Sequence, residues 1–138
     1  MVYSWPAGVY EPTKHGGSLE KAGLMELREE AGLECGDGGN GGGVDGGLVR
    51  LLSTAAGRGG APQDKYQREK VEYFLCVDAR KRREGEEGRV LDEEERIEVV
   101  GGVRVEEVKE LVLAGVMQSN MMAASFMAID RLEKMGYL

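Results

Sequence analysis

Apolar residues recur with helical spacing in the first third of the chain. Leu24, Leu27 and Ala31 fall at i, i+3 and i+7, which places them on one stripe of a helix. Ser18 precedes this stripe and has the side chain of a good N-cap, while Gly32 follows it and suits a left-handed C-terminal cap. The sequence therefore predicts an amphipathic helix that starts after Ser18 and stops at Gly32.

The last third of the chain carries two more amphipathic patterns. The first predicts a short helix that ends at Gly115, and the second a longer helix from about Asn120 to Met135. The residues expected to face inward are Val105, Val108, Leu111 and Val112 in the short helix, and Met122, Phe126, Ile129 and Leu132 in the long one.

Alternation of apolar and polar residues predicts the strands. It is clearest over residues 68–78, where one face would carry Val71, Tyr73, Leu75 and Val77. Shorter strands are expected at residues 2–5, 47–54 and 97–105, the last of them bent or bulged at its two consecutive glycines. The order of strand, helix, strands and helices indicates a mixed α/β fold.

Length and charge narrow the class of protein. The 138 residues suit a single domain, 1–138, interrupted by a glycine-rich insert at 36–47 and a charged loop at 80–96. The chain carries 25 acidic against 18 basic residues, a net charge of −7, which argues against nucleic acid as a partner. It suits a protein that brings divalent cations to an anionic small molecule.

Cysteine spacing and hydropathy bear on the compartment. Cys35 and Cys76 match no metal or redox spacing, so we expect two plain thiols in a reducing compartment. The sequence shows neither an apolar run of membrane length nor the order of a signal peptide, which predicts a cytoplasmic protein without a membrane partner. Only a strand stub fits before Pro6, so either the N-terminal strands are shortened or another chain completes the sheet.

Three carboxylates share one face of the first predicted helix. Glu26, Glu29 and Glu30 fall at i, i+3 and i+4, an arrangement of like charges that destabilises an isolated helix by a few tenths of a kcal/mol. Composition alone would make this a solvated acidic face. The functional alternative is a divalent cation between the carboxylates, because Mg²⁺ takes oxygen ligands and is shared with substrate phosphates.

The surrounding residues resemble the Nudix hydrolase box, G-x5-E-x7-R-E-U-x-E-E-x-G-U, where U is bulky and aliphatic. The second half of the box is matched without a gap by Glu26, Leu27, Glu29, Glu30, Gly32 and Leu33. Pro6-Ala7-Gly8 with Glu11-Pro12 looks like the loop variant of ADP-ribose and ADP-sugar diphosphatases, and residues 92–130 are similar to their C-terminal part. The resemblance implies a Nudix-type α/β/α sandwich with a mixed sheet.

The chain departs from the box at two positions. Met25 stands where the family has its arginine, and Gly17 stands where it has its first glutamate. The loop before the helix is also longer than in the family. Arg28, one turn further on, is a candidate to brace a carboxylate instead.

The resemblance implies Mg²⁺-dependent hydrolysis of a nucleoside diphosphate linked to another moiety, most simply ADP-ribose or an ADP-sugar, with Mn²⁺ as a possible substitute. The implied metal ligands are the Ala7 carbonyl and the carboxylates of Glu26, Glu29 and Glu30, of which Glu29 is also a candidate catalytic residue. The implied general base lies in the acidic loop, with Glu94 ahead of Glu93 and Glu95. The implied substrate contacts are Trp5, Arg68 and Glu69, with Glu72 and Lys65 as alternatives.

Several alternatives stay open on sequence alone. The departures at Met25 and Gly17 favour a Nudix-like binding or partner module without catalysis, or a shortened form of a longer enzyme. A homodimer is possible, since diphosphatases of this kind often dimerise. His15, the only histidine, is expected in a surface loop, with contact to substrate as the second interpretation.

Overall fold

The computed structural model describes residues 2–36, 47–52, 60–62, 70–81 and 98–138. Within these ranges it contains helices and short antiparallel strand pairs, so the predicted mixed α/β content is confirmed. The elements in chain order are α1 (Leu19–Ala31), β1 (Leu33–Glu34), β2 (Leu48–Arg50), β3 (Ala61–Pro62), β4 (Lys70–Val71), β5 (Phe74–Cys76), β6 (Arg80–Lys81), α2 (Val105–Leu113) and α3 (Ser119–Lys134).

The chain divides into two compact units. The first unit comprises Met1–Trp5, Arg50–Leu75 and Gly101–Leu138, and the second unit comprises Pro6–Val49 and Cys76–Val100. The second unit therefore contains α1 and its carboxylates, whereas the first contains α2 and α3.

Both ends of α1 lie where the sequence predicts them. The Ser18 hydroxyl accepts a hydrogen bond from the Lys21 backbone N–H at 3.2 Å, which satisfies one of the unpaired donors of the first turn. At the other end, Gly32 has φ 65° and donates its N–H to the Arg28 carbonyl at 3.0 Å. The left-handed conformation at this cap is available to glycine at little cost.

The core of the first unit lies where α2 and α3 are joined. Val112, Met117 and Met121 are buried together, and Tyr3, Leu111 and Met122 pack against them. The predicted bounds of both helices are confirmed to within two residues. In α2, Val108 and Val112 are buried as predicted.

The predicted inward face of α3 is partly wrong, because Phe126 is 56% exposed. The buried residues of this helix are Met121, Ala124, Ser125 and Ile129. Two of these side chains are small, and Ser125 satisfies its hydroxyl by donating to the Met121 carbonyl at 2.8 Å. An assignment that follows only large apolar residues misses a face on which small side chains allow close packing.

The strands form three separate antiparallel pairs in the described residues: β1 with β6, β2 with β5, and β3 with β4. The single strand predicted over 68–78 is interrupted between β4 and β5. At the N-terminus, Tyr3 makes one parallel bridge to Met117, in place of a longer strand.

The strand predicted over 97–105 is wrong for its described part. Residues 98–104 form no strand, and Val99, Val100 and Val103 are all exposed. Valine has a high strand propensity, but a strand also needs a neighbouring strand to pair with its backbone hydrogen-bonding groups. Gly102, with φ 72°, turns the chain in this stretch.

The expectation of two free thiols is also wrong, because Cys35 and Cys76 form a disulfide across a sequence separation of 41 residues. Cys35 follows β1 and Cys76 ends β5, so the two cysteines meet although their spacing carries no signal. Next to the bond, the backbones cross closely. A Cβ on Gly36 would stand 2.9 Å from the Asp78 carbonyl oxygen, and one on Gly47 would stand 2.5 Å from the Gly36 oxygen.

Candidate functional site

The loop before α1 touches the helix at two carboxylates. The Ala7 backbone N–H donates to Glu30 Oε2 at 2.9 Å. One residue on, Gly8 lies so close to the Glu26 carboxylate that a Cβ at this position would overlap it. Because Glu26 and Glu30 are one turn apart, the two contacts fix the loop along a single face of α1.

All three glutamates of the predicted cluster are half-buried on α1. The structure therefore brings together Ala7, Gly8, Glu26 and Glu30, with Glu29 in the turn between the two contacted carboxylates. The contact to Ala7 is made by its N–H, whereas the resemblance to Nudix hydrolases implied its carbonyl as a ligand. All of these residues belong to the second unit.

The oxygen atoms at this face are of the chemical type that binds a hard divalent cation. Carboxylate and backbone carbonyl oxygens are the ligands that Mg²⁺ takes, and the Glu30 carboxylate is already oriented by a backbone donor. Over the described part of the chain, no group of three or more histidine, cysteine, aspartate or glutamate side chains is arranged to hold a metal.

The two departures from the box have distinct surroundings. Gly17 has φ 76°, and nothing lies within 4 Å of where its Cβ would stand. Met25 is half-buried on α1. Arg28, the candidate replacement for the missing arginine, forms an ion pair with Glu34 at the end of β1, with 3.9 Å between the guanidinium nitrogen and the carboxylate oxygen.

The expectation of a surface histidine is wrong, because His15 is only 2% exposed. Its Nδ1 accepts the Glu11 N–H at 2.9 Å, and its ring stacks on Tyr10 with centroids 5.9 Å apart. His15 Nε2 is buried without a hydrogen-bond partner. Two consecutive left-handed glycines, Gly16 and Gly17, turn the chain back here, and this glycine pair is the sequence signal of the turn, although it does not indicate that His15 is buried.

Trp5 belongs to the first unit and is oriented by α3. Its indole N–H donates to the Ser125 hydroxyl at 2.9 Å, and the residue is 41% exposed. The ring is therefore fixed at its polar edge while part of its surface remains open to solvent. The exposed part of the ring would allow Trp5 to stack on a ligand. The hydrogen bond to Ser125 alone, however, already accounts for the position of the side chain.

The remaining predicted site residues lie outside the described part of the chain. These are the acidic-loop residues Glu93, Glu94 and Glu95 and the substrate candidates Arg68, Glu69 and Lys65.

Glu72, which the sequence offered only as an alternative substrate contact, belongs to a charged group in the first unit that sequence reasoning did not predict. The Glu72 side chain is only 7% exposed, and neither of its carboxylate oxygens has a hydrogen bond. Arg50 lies 3.8 Å from it, and the Arg50 guanidinium also stands 5.6 Å above the Phe74 ring. No sequence signal identifies this group, because its members come from β2 and β5 and from the residues between β4 and β5.

Comparisons with known proteins give no match: no family model, no curated protein and no solved structure matches this chain. Among the described helices, none combines the length and the apolarity needed to cross a membrane.

Proposed function

We propose that the chain is a Nudix-type hydrolase that cleaves a nucleoside diphosphate linked to another moiety, with ADP-ribose or an ADP-sugar as substrate and AMP plus a sugar phosphate as products. The proposal includes the Nudix-type α/β/α sandwich as the fold, a single domain, a cytoplasmic location and a possible homodimer. The observation that carries it is the contact of the Pro6–Gly8 loop with Glu26 and Glu30.

This contact supports the proposal because it joins the two halves of the box in space. The loop glycine and the helix glutamates are separated by most of the motif in sequence, yet Gly8 lies against Glu26 and Ala7 donates to Glu30. A purely solvated acidic face would have no reason to hold a backbone donor and a close glycine contact at its two carboxylates. The arrangement instead creates an oriented pair of oxygen ligands beside a loop.

In the proposed reaction, this chain's residues bind and orient. Glu26 and Glu30, with Glu29 between them, would hold Mg²⁺ or Mn²⁺ against the diphosphate. When bound, the cation neutralises phosphate charge and makes water a better nucleophile at neutral pH. A carboxylate of the acidic loop, first Glu94 and then Glu93 or Glu95, takes the proton of the attacking water. Trp5, Arg68 and Glu69 are the proposed substrate contacts.

A second function is favoured by the two departures from the box. Gly17 offers no side chain where the family has a glutamate, and Met25 offers no positive charge where it has an arginine. A Nudix-like module that binds a nucleotide ligand or a partner without turnover would need neither group. The two functions differ in one measurable quantity, which is hydrolysis by well-folded protein.

The test is release of phosphate in an assay coupled to a phosphatase, with ADP-ribose and ADP-glucose as substrates, with and without Mg²⁺. We expect turnover that needs Mg²⁺ and that falls about a hundredfold or more in Glu30→Gln, which keeps the side-chain shape but loses the charge that a cation requires.

The matched control is Glu110→Gln, the same substitution at an exposed position of α2. It should leave turnover at the wild-type level. Folded wild-type protein that hydrolyses neither substrate at any Mg²⁺ concentration would contradict the hydrolase and favour the binding module.

A further inference from the structure

We propose that the Cys35–Cys76 disulfide is a reversible redox switch that controls the C-terminal end of α1, the end that carries Glu30. Both cysteines are half-buried, so the bond is within reach of a small dithiol from solvent. The effect on local structure stands by itself, whereas the effect on activity rests on the proposed function.

A short segment connects the disulfide to the helix. α1 ends at Ala31, Gly32 forms its cap, β1 occupies Leu33–Glu34, and Cys35 follows directly. Glu30 therefore lies in the last turn of the helix, a few positions before the covalent bond. A restraint on Cys35 also restrains the cap and the turn before it.

The strand that follows α1 has a short ladder. β1 pairs with β6 over only two residues, Leu33 opposite Lys81 and Glu34 opposite Arg80. β6 is exposed, and the Arg28–Glu34 ion pair is long, at 3.9 Å, with the Arg28 side chain 52% exposed. A two-residue ladder is marginal in water, and exposed ion pairs add little. The disulfide adds a covalent restraint to this short segment.

The surroundings of the bond favour reversibility. The Val77 N–H donates to the Gly47 carbonyl at 3.0 Å, and the Gly36 backbone packs directly against Asp78. These contacts do not involve the sulfur atoms, so they can re-form after reduction and bring the two thiols back together. Reoxidation then needs no search through the unfolded chain.

The chemistry is ordinary thiol–disulfide exchange with a dithiol. One thiolate of the dithiol attacks a protein sulfur, a mixed disulfide forms, and the other protein sulfur leaves as a thiolate that takes a proton. The second thiolate of the dithiol then attacks the reagent's sulfur in the mixed disulfide and releases the remaining cysteine as a thiolate, which also takes a proton. Two electrons and two protons end on Cys35 and Cys76, and the dithiol leaves as a disulfide. Disulfides in reducing compartments are mostly transient, catalytic or redox-sensing.

The consequence for the site follows from the Ala7 contact. Glu30 holds the loop through the Ala7 N–H, so loosening the last turn of α1 also loosens the loop on that face. Reduction should therefore lower Mg²⁺-dependent turnover, and reoxidation should restore it.

The test compares hydrogen–deuterium exchange of the full chain, oxidised and after reduction with dithiothreitol. We expect amides of residues 31–36 to exchange about tenfold faster or more after reduction, while α2 in the first unit serves as an unchanged reference. The control variant Cys35→Ser/Cys76→Ser should not respond to the reductant. If that variant fails to fold, the two redox states of the wild-type protein still give the comparison.

Two results would overturn the switch. One is equal exchange of residues 31–36 in both redox states, and the other is two alkylatable thiols in protein purified without reductant. Turnover measured in the same samples separates the two proposals. If turnover is present and equal in both redox states, the disulfide does not affect activity through Glu30. If turnover is absent from both states, the hydrolase proposal is overturned, and the exchange rates alone test the switch.

Discussion

At Gly8, the missing side chain lets the backbone of the loop lie directly against the Glu26 carboxylate. Any larger residue would have to displace either the loop or the glutamate. Because the loop lies this close to the helix, the adjacent Ala7 N–H can donate a hydrogen bond to Glu30. The position of this loop thus depends on the lack of a Cβ at Gly8 and on the hydrogen bond of the neighbouring Ala7 N–H.

Gly8→Ala should separate the loop from α1. The added Cβ would overlap the Glu26 carboxylate, so we expect a loss of about 1–3 kcal/mol in the free energy of unfolding, together with loss of any Mg²⁺-dependent turnover. Chemical denaturation and the phosphatase-coupled assay measure the two effects.

The control for this substitution is Gly101→Ala. Gly101 has no neighbour within 4 Å of its would-be Cβ and no positive φ, so alanine fits there. If both variants unfolded at the same denaturant concentration as wild type, the close contact at Gly8 would be disproved.

Among the elements, α1 was predictable and most strands were not. The helix ends at Ser18 and Gly32 depend on residues within one turn, so local sequence contains the information. Strand pairs such as β1 with β6 join distant segments, and nothing local to Leu33 indicates that it lies opposite Lys81. The alternating valines near Gly101 failed as a strand signal for the same reason.

The candidate site was predicted only in part, because its residues were identified by their resemblance to a motif. The face shared by Glu26 and Glu30 follows from helical spacing alone. The Nudix resemblance implied that the Ala7 carbonyl shares a metal with these glutamates, whereas the contacts that the structure shows are made by the Ala7 N–H and by Gly8. The burial of His15 escaped both approaches, because it depends on how a glycine-rich turn folds back.

Ser18→Ala should destabilise α1 at its first turn. The substitution removes the acceptor of the Lys21 N–H, so the expected cost is about 1 kcal/mol in the free energy of unfolding. Ser18→Gly should cost only a few tenths of a kcal/mol. Urea denaturation followed by circular dichroism measures both.

Ser119→Ala provides the comparison, since Ser119 is exposed at the first residue of α3, where the N-cap is Gln118 and makes no side-chain bond. An equal loss of stability at both serines would contradict a specific capping role for Ser18.

On the scale of the whole molecule, each unit has its own means of stabilisation. The first unit buries Val112, Met117 and Met121 in one cluster. Among its described residues, the second unit buries Leu48 and Val77 and adds the disulfide. Covalent closure of a long loop stabilises the folded state by constraining the unfolded chain.

Alkaline pH should act on the stability of the whole chain through Tyr73. Burial raises the pKa of the Tyr73 phenol above its ordinary value, so the folded state favours the protonated form. This contribution is fully present below the unfolded-state pKa of about 10 and is lost as pH rises through the higher folded-state value. Tyr73→Phe should therefore flatten the decline in stability above that pH.

The matched control is Tyr137→Phe, because Tyr137 is 53% exposed. Free energies of unfolding for both variants across the alkaline range supply the measurement. A decline in Tyr73→Phe as steep as in wild type would exclude Tyr73 as its source.

The close approach of Gly36 and Gly47 has a consequence for how the chain can be modified. The backbones of these two glycines lie side by side, since a Cβ on Gly47 would touch the Gly36 oxygen. The cost of closing a loop grows only slowly with its length. These two glycines therefore form a natural splice point, at which a reporter domain could be inserted, or new chain termini opened, while the register of the surrounding strands is kept.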